Sequence, residues 1–294
     1  MKEDFTITAR DGFEIAATLY YQEESRIPTP IVIMAPAMGV KRTFYDKFAR
    51  KIASDGFRVV TFDFRGIGGS AAENIRKDTS TLHNWGLLDM TAVIDWAATA
   101  AGGQQVFLIG HSVAGQIFPL AKNRQLVNAA CFVASVSAYW KLWRGFDRIK
   151  IFLFFHVIIP FLTTTFGYLP GKLFGSSVDL PYGVAREWAK WGKNPQYVLS
   201  FRPTVQQNFQ DISIPLLFLT FTDDKIAPKK PALALQKWYG TNARKHVHIS
   251  PKDIGVKSVG HFGFFREKMA DALWQPTIAW LHGQKEKISV DSNH

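Results

Sequence analysis

The sequence predicts an α/β protein with a mostly parallel central sheet, flanking helices and a helical insertion above the sheet. Two observations predict it. Short continuous apolar runs alternate with stretches of helical spacing, as in strands joined by crossover helices. That alternation stops over residues 138–210, which are rich in aromatics and broken by prolines, and then resumes.

The elements follow in order. Phe5–Thr8 and Glu14–Tyr20 alternate around Ala9-Arg10-Asp11-Gly12, a hairpin signal. Ile31–Met34 is a short continuous apolar run, expected as a strand buried on both faces, and Arg58–Phe62 is expected as the next buried strand. Between them Phe44–Asp55 has helical spacing and stops at Gly56. Trp85–Ala100 reads as a helix closed by Gly102-Gly103, and Val106–Ile109 as the next strand. A helix is expected from Ser112 onward, short or kinked because Pro119 removes a backbone donor. Ala129–Val136 is a further strand. After residue 210 come Leu216–Phe221 (strand), Pro231–Tyr239 (helix), His246–Ser250 (strand) and Phe265–His282 (helix). The division expected is a core of residues 1–137 and 211–283, a cap or lid at 138–210, and a frayed polar tail at 284–294.

Apolar residues make up 47% of the 294, enough for a large core. The single cysteine, Cys131, leaves no internal disulfide, so packing alone must hold the fold. No apolar run follows a basic start, so no signal peptide is read and a cytoplasmic location is expected. The net charge is +11, but basic residues sit singly among apolar ones and no nucleic-acid partner is expected. No zinc-type ligand spacing and no phosphate loop appears, so neither metal nor cofactor is expected.

The most informative stretch is Val106-Phe107-Leu108-Ile109-Gly110-His111-Ser112-Val113-Ala114-Gly115. A serine at a sharp strand-to-helix turn projects its hydroxyl outward, and small residues two before and two after let strand and helix approach. Such a serine needs a general base. Among eight histidines, His261 stands out, in a loop between the last strand and the last helix with Gly260 and Gly263 beside it. His111 adjoins Ser112, but successive side chains diverge at such a turn. The carboxylate that would orient the imidazole is Asp223 or Asp224, at a strand's C-terminal end; Asp211 and Asp253 are weaker candidates.

Together these residues resemble the α/β-hydrolase superfamily over nearly the whole chain, in its order of serine, acid and histidine. Asp63-Phe64-Arg65-Gly66-Ile67-Gly68-Gly69-Ser70 is similar to the family's DxRGxGxS loop, Asp224-Lys225-Ile226-Ala227-Pro228 to its acid segment, and Gly260-His261-Phe262 to its Gly-His loop. The nearest groups are lidded serine hydrolases: esterases, monoacylglycerol-lipase-like and serine-aminopeptidase-like proteins. The resemblance implies Ser112, Asp224 and His261 as catalytic residues, with Asp224 favoured over Asp223. The family usually carries His-Gly after the third strand, where this chain has Ala35-Pro36-Ala37-Met38-Gly39; matching the two puts the oxyanion donors at the Met38 and Val113 amides.

A small hydrophobic ester is the expected substrate. Thioesters, small amides, carbon–carbon bonds and a non-catalytic ligand receptor are the alternatives. Ile151–Leu169 approaches a membrane span in length, against which stand His156, Pro160, Gly167 and Thr163-Thr164-Thr165. The insertion holds nine Lys/Arg against three Asp/Glu and four tryptophans, a composition that suits peripheral contact with an anionic interface.

Overall fold

The computed structural model describes residues 1–23, 29–174 and 178–291. Its centre is an eight-stranded sheet in the order β1-β2-β4-β3-β5-β6-β9-β10. β1 (Lys2–Thr8) and β2 (Glu14–Tyr20) form the expected antiparallel hairpin, and β2 pairs antiparallel with β4 (Arg58–Phe62). From there the sheet is parallel through β3 (Ile31–Ala35), β5 (Val106–His111), β6 (Ala129–Val133), β9 (Leu216–Phe221) and β10 (Arg244–Ile249). β3, β5, β6 and β9 are buried along their whole length, which explains why apolar residues dominate both of their faces. A second sheet is only β7 (Tyr168–Leu169) against β8 (Leu180–Pro181).

The core helices are α1 (Asp46–Ser54), the single turn α2 (Leu82–Asn84), α3 (Thr91–Ala101) and α4 (Ala114–Ile117). A widened turn, Trp85–Met90, joins α2 to α3, so the expected helix starts earlier and runs to Ala101. α4 is four residues long and tightens at Phe118–Leu120, in keeping with Pro119. The strand expected over Ala129–Val136 ends at Val133, because Ala134 takes a positive φ of 55° that breaks the extended chain.

Between β6 and β9 lie α5 (Gly145–Leu153), α6 (Ile159–Phe166), α7 (Tyr182–Lys193) and α8 (Thr204–Gln210). α5 and α6 form one 22-residue helix, joined by a widened turn at Phe154–Ile158 just before Pro160, whose ring cannot donate to a regular turn. By length and composition this helix could cross a membrane. Here one side of it is packed into the protein: Phe155, Ile159 and Thr163 are buried. Polar contacts tie the segment to the core. The His83 backbone N–H donates to Glu187 at 2.8 Å, Arg76 Nε to the Phe166 carbonyl at 2.9 Å, and the Tyr197 hydroxyl to Gln116 Oε1 at 2.7 Å.

After β9, α9 spans Lys229–Gln236, starting right after Pro228 rather than at Pro231. The last helix differs more. Short turns cover 263–274, and regular helix α10 runs Gln275–Asp291. The frayed tail expected from residue 284 is therefore corrected: helix continues to Asp291, and residues 292–294, His294 among them, lie outside the described residues. The cause is tertiary: Leu281 and Gln284 are buried against the core.

Candidate active site

The C-terminal ends of β5 and β9, and the loop after β10, converge on Ser112. Ser112 follows β5 directly and has a positive φ of 51°, a costly conformation for a residue with a Cβ. It is held there by its own N–H, which donates to the Val133 carbonyl at 2.9 Å. Gly110 has to be glycine: a Cβ there would lie 2.9 Å from the Ala114 Cβ and from a Phe132 ring carbon.

The three expected side chains form one hydrogen-bonded line. Ser112 Oγ is 3.0 Å from His261 Nε2, and His261 Nδ1 is 2.8 Å from Asp224 Oδ2. His261 and Asp224 are buried, 8% and 3% exposed, so neither competes with bulk water for its partner. The second Asp224 oxygen accepts from the Ile226 and Ala227 amides at 2.8 and 2.9 Å. A carboxylate with those donors sits as the charged acceptor, and His261 Nδ1 then carries the proton and Nε2 is free to accept from the serine.

Asp223 is used differently. It accepts from the Val259 and Gly260 amides at 2.9 and 3.1 Å. One aspartate orients the imidazole and its neighbour fastens the loop that carries it. Asp211 lies at the surface beside Arg124, and Asp253 is exposed; neither reaches Ser112.

Ala37, Met38 and Gly39 line a cavity with Ser112 and His261, and Val113 follows the serine. Among the described residues neither the Met38 nor the Val113 backbone N–H has a protein acceptor. Two free amides beside a serine hydroxyl can receive an oxyanion, and the N-terminal end of α4 adds positive partial charge.

The Asp63–Ser70 loop stays away from this chemistry. Asp63 accepts from the Arg42 and Gly69 amides, and Arg65 reaches Asp89 Oδ1 at 2.6 Å and Asp11 at 2.7 Å. Burial pushes the Asp89 carboxyl up to about 7 against the pull of Arg65. The loop staples β4 to the first hairpin.

His111 was set aside by sequence reasoning, and the structure gives it a place. It is fully buried, with Nδ1 2.9 Å from the Tyr45 hydroxyl and Nε2 3.0 Å from the His261 carbonyl oxygen. Burial and the neighbouring His261 hold its pKa well below that of a free histidine. No local signal marked it, since Tyr45 is 66 positions away and His261 is 150.

Two apolar cavities of about 170 and 290 Å³ open on Ser112. Both are walled by Phe154 and Trp188 from the 138–210 segment.

Comparison with known proteins agrees with this architecture. Residues 32–274 match the family described as the alpha/beta hydrolase family. Esterase FrsA of Serratia proteamaculans is 31% identical over 123 residues, which are 41% of this chain and 29% of that protein; the match spans under a third of the relative's length. Among solved structures, a soluble variant of monoglyceride lipase from Saccharomyces cerevisiae superposes with a TM-score of 0.68 at 14% identity, covering 97% of this chain and 94% of that one. An esterase from Exiguobacterium antarcticum gives 0.64 at 14% identity, over 95% and 100% of the two chains. The monoacylglycerol lipase of Paleococcus ferrophilus gives 0.60 at 16% identity, over 92% and 99%. At these identities the superpositions show a shared fold.

Proposed function

The chain belongs to the α/β-hydrolase family, and from that premise we propose that it is a serine hydrolase cleaving carboxylic esters of a hydrophobic substrate through an acyl-enzyme. The observation that carries the reading is the line Ser112–His261–Asp224, with contacts of 3.0 and 2.8 Å. His261 Nε2 takes the Ser112 proton as Oγ attacks the carbonyl carbon. The Met38 and Val113 amides hold the tetrahedral oxyanion. The imidazolium, balanced by Asp224, gives its proton to the departing alkoxide. Water then enters, loses a proton to His261 and releases the acid, regenerating the serine.

The apolar cavities favour a hydrophobic ester over a small polar amide. The named esterases and monoacylglycerol lipases on the same fold support an ester as the bond class. The competing reading is a ligand receptor with an idle serine. A fluorophosphonate probe with a panel of esters separates them. Labelling at Ser112 with turnover supports the hydrolase; labelling without turnover on the whole panel favours the receptor.

The outer face of α5 and α6 supports a second element of the proposal, in which residues 138–210 act as a lid that meets an anionic lipid surface. Phe146, Ile149, Leu153, Val157 and Phe161 recur every three or four residues and are all exposed, Phe146 by 69% and Phe161 by 64%. Basic groups flank that stripe: Arg148 lies 5.1 Å from the Trp140 ring centroid and Lys150 4.9 Å from that of Phe146. Apolar side chains rimmed by cations match the boundary of an acidic bilayer. Cosedimentation with vesicles containing phosphatidylglycerol, lost in Phe146→Glu/Phe161→Glu, is expected. Equal recovery of both proteins in the supernatant would remove this element and leave the chemistry at Ser112 untouched.

A further inference from the structure

The two cavities at Ser112 are not equivalent, because His261 borders one of them and not the other. The smaller, about 170 Å³, is lined by Ala37, Gly39, Leu180, His261 and Phe262. The larger, about 290 Å³, is lined by Val136, Ala138, Trp143, Ile151 and Phe155. They share Ser112 and Met38, with Phe154, Phe174, Trp188 and Ile226 as a common wall. We propose that the larger chamber holds the acyl chain and the smaller holds an apolar alcohol, so that the preferred substrate is a medium-chain ester of a small apolar alcohol. The inference rests on the serine-hydrolase reading and adds the substrate class to it.

Proton traffic assigns the chambers. When the ester C–O bond breaks, the alkoxide oxygen takes its proton from His261 Nε2, so the leaving group has to sit on the His261 side. The acyl group stays bonded to Ser112 Oγ after the alcohol departs. The incoming water must then lie within reach of the same Nε2 and needs the space that the alcohol has vacated. An acyl chain lodged beside His261 would block that water. The larger chamber keeps the chain bonded to Ser112 and out of the water's way.

Size and polarity then set the substrate. At roughly 30 Å³ for each water-sized group, the larger chamber takes about ten such groups and the smaller about six. Among the described residues, the larger chamber adds Gln116 to Ser112 as a polar side chain, and its Oε1 already accepts from the Tyr197 hydroxyl at 2.7 Å. Among the described residues, the polar side chains reaching the smaller chamber are Ser112 and His261, both occupied by the reaction. Further hydroxyls on the alcohol would lose water against a lining made chiefly of apolar side chains, so a polyol such as glycerol is disfavoured.

The test uses the full chain and two matched ester series. With the alcohol fixed as p-nitrophenol and the acyl chain varied from two to sixteen carbons, kcat/KM is expected to peak between about six and ten carbons. With octanoate fixed, the butyl ester is expected to exceed the glyceryl ester at least tenfold. Two variants assign the chambers by ratios measured within one protein, which cancel any change in folded fraction. Ala138→Phe is expected to lower the octanoate-to-acetate ratio at least tenfold and leave the butyl-to-methyl ratio of the octanoates in place. Leu180→Trp is expected to do the reverse. Exchanged effects of the two variants, or a glyceryl ester preferred over butyl, would overturn the assignment while Ser112 remains the nucleophile. Absence of fluorophosphonate labelling at Ser112 together with absence of turnover on both series would remove the hydrolase reading and the assignment with it.

Discussion

The Tyr45 hydroxyl and the His111 imidazole share a buried hydrogen bond of 2.9 Å whose direction is fixed by what lies on either side. The Ala37 N–H donates to the same hydroxyl at 2.9 Å, and the His261 carbonyl beside His111 Nε2 can only accept, which leaves Nδ1 bare to take the Tyr45 proton. The His111 proton is therefore on Nε2, which donates to the His261 carbonyl at 3.0 Å. One chain of three bonds thus joins the residue before Met38, the residue before Ser112 and the backbone of His261.

Removing the middle of that chain should loosen all three. Tyr45→Phe leaves the Ala37 N–H and His111 Nδ1 buried without partners, at roughly 1–3 kcal/mol each. We expect kcat to fall about tenfold with KM within twofold, since the oxyanion amides act more on the transition state than on the bound ester. Steady-state kinetics and faster exchange of the Ala37 amide hydrogen check this.

The strained backbone at position 112 gives a stability signature separate from activity. Ser112→Ala keeps a Cβ at a φ of 51°, whereas Ser112→Gly removes it. Both variants should lose turnover. The glycine variant should be the more stable of the two by about 1 kcal/mol, seen as a higher midpoint of thermal unfolding.

The adjacent aspartates should separate chemistry from structure. Asp224→Asn should lower kcat by about 10⁴, through the wrong imidazole tautomer, with little change in the unfolding midpoint. Asp223→Ala removes the acceptor of the Val259 and Gly260 amides and should cost about 2 kcal/mol of stability. Its loss of kcat should be the smaller of the two.

Stability should also depend on pH through the buried His111 and the half-buried His246 and His248. Burial lowers the pKa values of His111, His246 and His248. Below about pH 6.5 the unfolded chain binds protons that the folded chain refuses, so their contribution is complete above that pH and is lost as pH falls. Asp89, raised to about 7, acts in the opposite sense, its folded form holding a proton between about pH 4 and 7 that the unfolded form releases. Comparing the wild type with His111→Gln cancels Asp89 and the other histidines. The wild type should lose up to about 1.4 kcal/mol more per pH unit below 6.5. Parallel urea-unfolding midpoints at pH 7.5 and 5.5 would contradict this.

The sequence by itself determined the parallel sheet, its opening hairpin and the candidates Ser112 and His261. Each rests on a signal within about ten residues: an apolar run for a buried strand, small residues around a serine at a turn, and glycines beside a histidine. Residue spacing left Asp223 and Asp224 equal, and family resemblance alone favoured Asp224. Only tertiary structure separates them, since adjacent side chains point apart and one meets His261 while the other meets the loop amides. Tertiary structure also decided that helix continues to Asp291, that His111 bonds to Tyr45, and that apolar cavity space borders Ser112. These depend on contacts between residues tens to more than a hundred positions apart, for which local periodicity and turn chemistry carry no trace.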